Sequence, residues 1–252
     1  MTNSQLTDIL LRLGDDSLVL SQRLGEWCGH APILEEDIAL TNIALDLLGQ
    51  TQSYLTLAGS LLENPQTDDE LAFHRDASEF QNLLLLEQPN GDFGDTIARQ
   101  FLFDVYSLLK VQHLEAQSVN TDIAAVAAKA VKEIRYHVDH SSKWVIRLGD
   151  GTPRSHDRIQ KSINALWKFT DEMFISDESD NAGTKAGLLP DSSSMKTEWL
   201  SRIKSTLNEA GLTIPENVNM KSGGRKGQHS EHLSIMLEEM QVLPRLHPGA
   251  NW

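Results

Sequence analysis

Little in this sequence would cross-link or anchor it. Cys28 is the only cysteine, which excludes an internal disulfide and any zinc or iron–sulfur site built on several thiolates. Bases are scarce, 22 against 36 acids, leaving a net charge of -14. Binding nucleic acid takes a cationic footprint that displaces counterions from phosphate, so that class is disfavoured. No apolar run approaches the roughly 18 residues of a membrane span. The polar, acidic start "MTNSQLTDILLRLGDD" lacks the basic region and apolar run of a secretory signal. The expectation is a cytoplasmic protein without a membrane or nucleic-acid partner. At 40% hydrophobic and 23% charged over 252 residues, it has the composition of a globular protein with a sizeable core.

What is present is helical periodicity cut by turn signals. Helices are predicted over about 6–27, ended by "GHAP", and over about 35–63, opened by the acidic "EED" that suits a helix N-terminus. A shorter helix is expected through "LAFHRDASEFQNLLLLE", then a turn at "QPNGDFGD". Further helices are expected over about 96–116, 122–148, 155–174, 196–211 and 231–242. A polar loop excursion covers about 176–195, and a loose tail about 244–252. No alternating strand pattern and no short-period repeat is visible. Long helices joined by short loops predict an all-α bundle, a single domain spanning 1–252.

Polar residues on apolar stripes are the informative ones. Ile97, Phe101, Leu108 and Val111 recur at helical spacing, and Asp104 falls among them. A carboxylate in a bundle interior is costly unless paired, hydrogen-bonded, protonated or metal-bound; the alternative is that Asp104 sits at the edge of the stripe facing solvent. Gln50 continues the stripe Ile43, Leu47, Tyr54, Leu57, Leu61. His137 continues Ile123, Ala127, Val131, Ile134, where a hydrogen-bonded core histidine is the plain reading. Glu26 follows Arg23 by three residues, as an exposed ion pair or an inward one.

These positions form a layout. Each half of the chain offers a carboxylate, Glu26 then Asp104, followed by a pair three residues apart, Leu47 with Gln50 and Ile134 with His137. A ferritin-like di-iron bundle uses Glu and then Glu-x-x-His, twice, so that two helix faces surround a metal pair. Here the glutamate of each pair is a hydrocarbon and one histidine is a glutamine: a degenerate site. In "KEIRYH" the glutamate lies one place early. The alternative register, Glu133 with His137 and His140, with Asp139 beside them, describes a mononuclear site. In "HSEH" (His229–His232) the expected reading is Ser230 as N-cap with solvent-facing histidines. "SGGRKGQH" (Ser222–His229) reads as a flexible loop or a phosphate or acidic-partner contact. No Walker loop, dinucleotide fingerprint or Ser-His-Asp order is present.

The stretches "LRLGDDSLVLSQRLGEWCGHAPILEEDIALTNIALDLLGQ", "FQNLLLLEQPNGDFGDTIARQ", "AKAVKEIRYHVDHSSKWVIRLGDGT" and "SGGRKGQHSEHLSIMLEEMQ" resemble the C-subunit family of the bacterial phenylacetyl-CoA 1,2-epoxidase, the ring 1,2-monooxygenase of aerobic phenylacetate degradation. The likeness covers nearly the whole chain and is weakest over about 176–212. It implies a ferritin-like bundle with additional helices and a non-catalytic role as structural partner of the related A subunit, in a heterodimer and higher hetero-oligomers. A B subunit joins the assembly, self-association is a further expectation, and a reductase E subunit supplies electrons from NADPH. The implied cofactors, di-iron in the A subunit and FAD with [2Fe-2S] in the reductase, lie outside this chain, in which no catalytic, cofactor-binding or metal residue is expected. Carried over position by position, Glu26, Leu47, Gln50, Asp104, Ile134 and His137 stand as vestigial ligand positions. Glu26 and Asp104 are expected to be buried and neutralised by hydrogen bonds or by a cation such as Arg23. The alternative is a free-standing di-metal or mononuclear oxidase using Glu133, His137 and His140.

Overall fold

The computed structural model describes residues 1–118 and 120–250, which form helices and no strand. In chain order the helices are α1 (Asn3–Gly25), α2 (Leu34–Ser60), α3 (Asp68–Phe73), α4 (Phe93–Gln117), α5 (Thr121–Gly149), α6 (Pro153–Leu166), α7 (Glu178–Lys185), α8 (Ser192–Glu209) and α9 (Glu231–Leu246). The chain divides into two compact units, Met1–Pro89 with Gly223–Trp252, and Asn90–Ser222. The first is built on α1 packed along α2, the second on α4 packed along α5.

Capping chemistry decides where most of these helices begin. Asp92 accepts from the backbone N–H of Gly94 (2.8 Å) and Asp95 (3.2 Å) and so starts α4 three residues earlier than periodicity suggested. Asn120 starts α5 in the same way, and Thr152 followed by Pro153 starts α6. The loop expected over 176–195 is corrected: Asp177 accepts from Ser179 and Asp180 to open α7, and Asp191 opens α8. Buried Leu188 and Leu189 seat the turn between them. Polar composition misled here because each aspartate satisfies helix N–H groups that would otherwise stay orphaned. The expected helix over 155–174 ends at Leu166 and continues as two 3-10 turns. In the same unit Trp199 donates Nε1–H to the carbonyl of Leu102 at 2.9 Å and packs against Trp167 and Phe174. The expected loose tail begins inside α9, which runs on through Pro244 to Leu246; residues 251–252 of that tail lie outside the described residues.

The helix expected through "LAFHRDASEFQNLLLLE" is also corrected. Only α3 and a 3-10 turn at Ala77–Glu79 are helical, and residues 83–86 are irregular yet buried. Outside a helix the backbone of such a buried segment needs partners elsewhere in the protein. The Gly-rich segment before α9 packs closely against the backbone just ahead of residues 83–86. A Cβ on Gly224 would lie 2.1 Å from the carbonyl oxygen of Asn82, and one on Gly227 (φ +68) 2.1 Å from that of Ser78. Gly227→Ala is therefore expected to cost about 1–3 kcal/mol through overpacking and left-handed strain. Urea unfolding reads this as a lowered midpoint at unchanged slope; an unmoved midpoint would contradict such tight seating.

Candidate functional site

In the second unit the stripe on α4 is buried, and Asp104 is buried with it. Gln100, one turn earlier on α4, donates Nε2–H to Asp104 Oδ1 at 2.6 Å. Ser141, one turn after His137 on α5, donates its hydroxyl to Oδ2 at 2.8 Å. Burial pushes the Asp104 carboxyl up to about 6, against the opposing pull of nearby His137 and of the bonds from Ser141 and Gln100. Asp104 is thus an inward acid, not one at the edge of the stripe. His137 is fully buried, and Ile134 packs with Leu108, Val111, Ala130 and Val131.

In the first unit, Leu47 and Gln50 are buried on the inner face of α2. Glu26 departs from expectation, for it is exposed. α1 ends at Gly25, so Glu26 is its C-cap and leaves the buried face. The cation named for it is the right one: Arg23 Nη1 meets Glu26 Oε1 at 2.7 Å. Arg23 itself is buried, its Nη2 donating to the carbonyls of Glu87 (2.8 Å) and His232 (3.0 Å).

These donors do not fit a di-iron centre. Leu47 and Ile134 are hydrocarbons with no lone pair, and Gln50 offers a neutral amide where a charged or imidazole ligand is needed. Of the six vestigial positions, the structure brings Asp104 and His137 into electrostatic contact, while Glu26 is engaged with Arg23. Nor are Glu133, His137 and His140 gathered into a site. Glu133 lies 3.5 Å from Lys129 as an i, i+4 pair. Among the described residues, no three His, Cys, Asp or Glu side chains are grouped to hold a metal ion.

The chain matches, over residues 1–252, the family described as phenylacetic acid catabolic protein. It belongs to that family. A curated relative, the C subunit of the 1,2-phenylacetyl-CoA epoxidase of Escherichia coli (strain K12), is 49% identical over 249 residues, 99% of this chain and 100% of the relative. The ferritin-like helical fold expected from the sequence is the fold of the phenylacetic acid catabolic proteins. No helix among the described residues is long and apolar enough to cross a membrane.

This member of the phenylacetic acid catabolic family also carries a buried polar lattice in its first unit that the stripe reading missed. Asp15 and Asp16, adjacent on α1, are both buried. Asp15 takes a two-pronged contact from Arg75 and a backbone N–H from Gln81 at 2.8 Å. Asp16 accepts from Leu83 N–H (2.9 Å) and from both terminal nitrogens of Arg225 (2.9 and 2.7 Å). Arg225 also donates to the carbonyl of Gln81 at 2.6 Å. Glu87 accepts from the Ser230 N–H (2.7 Å) and from Asn82 (3.3 Å), and faces His229 Nδ1 at 2.8 Å. His229 Nε2 lies 2.8 Å from the carbonyl of Phe80; a carbonyl only accepts, so Nε2 carries a proton.

Within the "SGGRKGQH" loop, Arg225 and His229 thus face the protein's own acids and carbonyls, while Lys226 and Gln228 are exposed. His229 is internal, a correction to the solvent-facing reading, and Ser230 holds the N-cap position without a side-chain cap bond. One signal for the lattice was available: Asp16 falls between Leu13 and Leu20 on the apolar face of α1, as Asp104 does on α4.

Proposed function

We propose that this chain is a structural, non-catalytic subunit of a phenylacetyl-CoA 1,2-epoxidase. In this reading it pairs with and stabilises the related iron-bearing A subunit, within an assembly that includes a B subunit and an NADPH-dependent reductase with FAD and [2Fe-2S]. The assembly inserts one oxygen atom of O2 into the aromatic ring of phenylacetyl-CoA, as part of aerobic phenylacetate breakdown. The observation that carries the reading is the hydrocarbon character of Leu47 and Ile134 at the positions where a ferritin-like centre places bridging glutamates. The hydrogen-bond cage on Asp104 supports it, since Gln100 and Ser141 occupy the two oxygens that a metal would take. The name of the Escherichia coli relative, an epoxidase subunit, gives the reaction class.

A subunit of this kind contributes a folded surface and no reacting group, so losing ligands costs it nothing while its long helices are retained. The test is anaerobic reconstitution of the purified chain with Fe(II), followed by metal quantification. Iron far below one per chain is the expected result. A stoichiometric pair of irons per chain, with the absorption of an oxo-bridged centre, would overturn the non-catalytic assignment.

A further inference from the structure

Helix α2 is apolar on two opposite faces. Its inner face carries Leu40, Ile43, Leu47, Tyr54 and Leu55, all buried. Its outer face leaves Leu34 72%, Ile38 54%, Leu45 58% and Leu48 47% exposed. With Thr41 and Gln52, these outer residues follow the spacing 4, 3, 4, 3, 4, the seam on which a second helix packs with knobs in holes. An exposed apolar stripe that runs along about four turns of a helix calls for a cover. Beside the seam is a groove of roughly 370 Å³, lined by Leu45, Leu48, Leu55 and Phe73 among others, wide enough to receive a protruding side chain.

Charge narrows the occupant. From Leu34 to Ser60 there is no lysine, arginine or histidine, whereas Glu35, Asp37 and Asp46 are acids that are not buried, and Asp68 and Asp69 of α3 line the groove. A second copy seated on the same face would set acids against acids. An anionic lipid surface would be repelled, since interfacial helices present lysine and arginine on their polar face. We propose that the outer seam of α2 docks a helix of another subunit, one whose apolar ridge is rimmed by lysine and arginine. This rests on the pairing with the A subunit proposed above, and assigns that pairing to a place on this chain.

The experiment is co-expression with the A subunit, then co-purification, and titration of the separated chains at two salt concentrations. Leu45→Asp with Leu48→Asp is expected to lower affinity at least 100-fold while leaving the melting temperature of the isolated chain unchanged, because both positions are exposed. Ile235→Asp with Leu246→Asp, on the exposed face of α9, serves as the control and is expected to keep affinity within about threefold. Glu35→Lys with Asp69→Lys is expected to weaken binding about tenfold at low salt and less at high salt. Should the aspartate pair lower the melting temperature, Leu45→Ser with Leu48→Ser takes its place. If the wild type and the seam variants bind alike, the surface is wrong although the pairing stands. If the wild type does not bind the A subunit, the pairing itself fails and the seam assignment falls with it. A homodimer of the wild type that the seam variants dissolve, or binding of the wild type to phosphatidylserine vesicles, would overturn the choice of occupant.

Discussion

Arg225→Ala is expected to lower folding stability by about 3–5 kcal/mol, the range for removing one partner of a buried ion pair. Its guanidinium meets Asp16 through both terminal nitrogens and also holds the Gln81 carbonyl. The pair is well shielded, with side-chain exposures of 13% for Arg225 and 5% for Asp16, so solvent screening offers little relief. In the alanine variant Asp16 keeps the Leu83 N–H and loses both guanidinium contacts. Arg225→Lys is expected to fall between, since an ammonium keeps the charge and loses the planar fork. Asp16→Asn with Arg225→Met is expected to cost less than the sum of the single losses, because no uncompensated charge remains. Urea unfolding of the wild type, these three variants and the single variants Asp16→Asn and Arg225→Met checks this. A loss under about 1 kcal/mol for Arg225→Ala would mean that the pair behaves as an exposed one.

The second large effect is a reversed pH dependence at Asp104. Its carboxyl is raised from 3.8 to about 6 in the folded protein, chiefly by burial. The folded state therefore holds this proton more tightly than the unfolded chain does. The stability linked to it is fully present below pH 3.8 and is lost as pH rises through about 6. That rise corresponds to roughly 3 kcal/mol. Asp104→Asn stays neutral throughout and keeps an acceptor for Gln100 and a donor toward the Ser141 hydroxyl. Its stability relative to wild type is expected to be near zero at pH 4 and to climb by up to roughly 3 kcal/mol by pH 8. Unfolding midpoints of both proteins at pH 4, 6 and 8 give the curve. A difference that stays flat across that range would show that Asp104 is not desolvated.

The part of the site that sequence could show is the part governed by helical period. Asp104, Ile134 and His137 sit on stripes that a spacing of three and four residues reveals, and each is buried. Period fails where the chain leaves regular structure. Residues 81–86 look like part of a helix in sequence, yet they form an irregular segment whose backbone is bound at Leu83 by α1 and at Gln81 by the stretch before α9. Long-range pairing was also invisible, since Asp16 and Arg225 stand 209 residues apart and nothing local marks either as the other's partner. Glu26 was placed by analogy with a ligand position, and the end of α1 at Gly25 moved it to the surface. On α2, reading one stripe, from Ile43 to Leu61, hid the fact that the helix has a second.

The first unit is also discontinuous in time. Asp16 leaves the ribosome 209 residues before Arg225, and Glu87 leaves 142 residues before His229. At about 5–20 residues per second, Asp16 waits on the order of 10–40 s for its cation. Through that interval the nascent N-terminal segment holds Asp16 and Glu87 without the partners that the stretch before α9 supplies. Residues 90–222 are complete before that wait ends, so the unit that starts first in the chain is the last to have all of its residues synthesised.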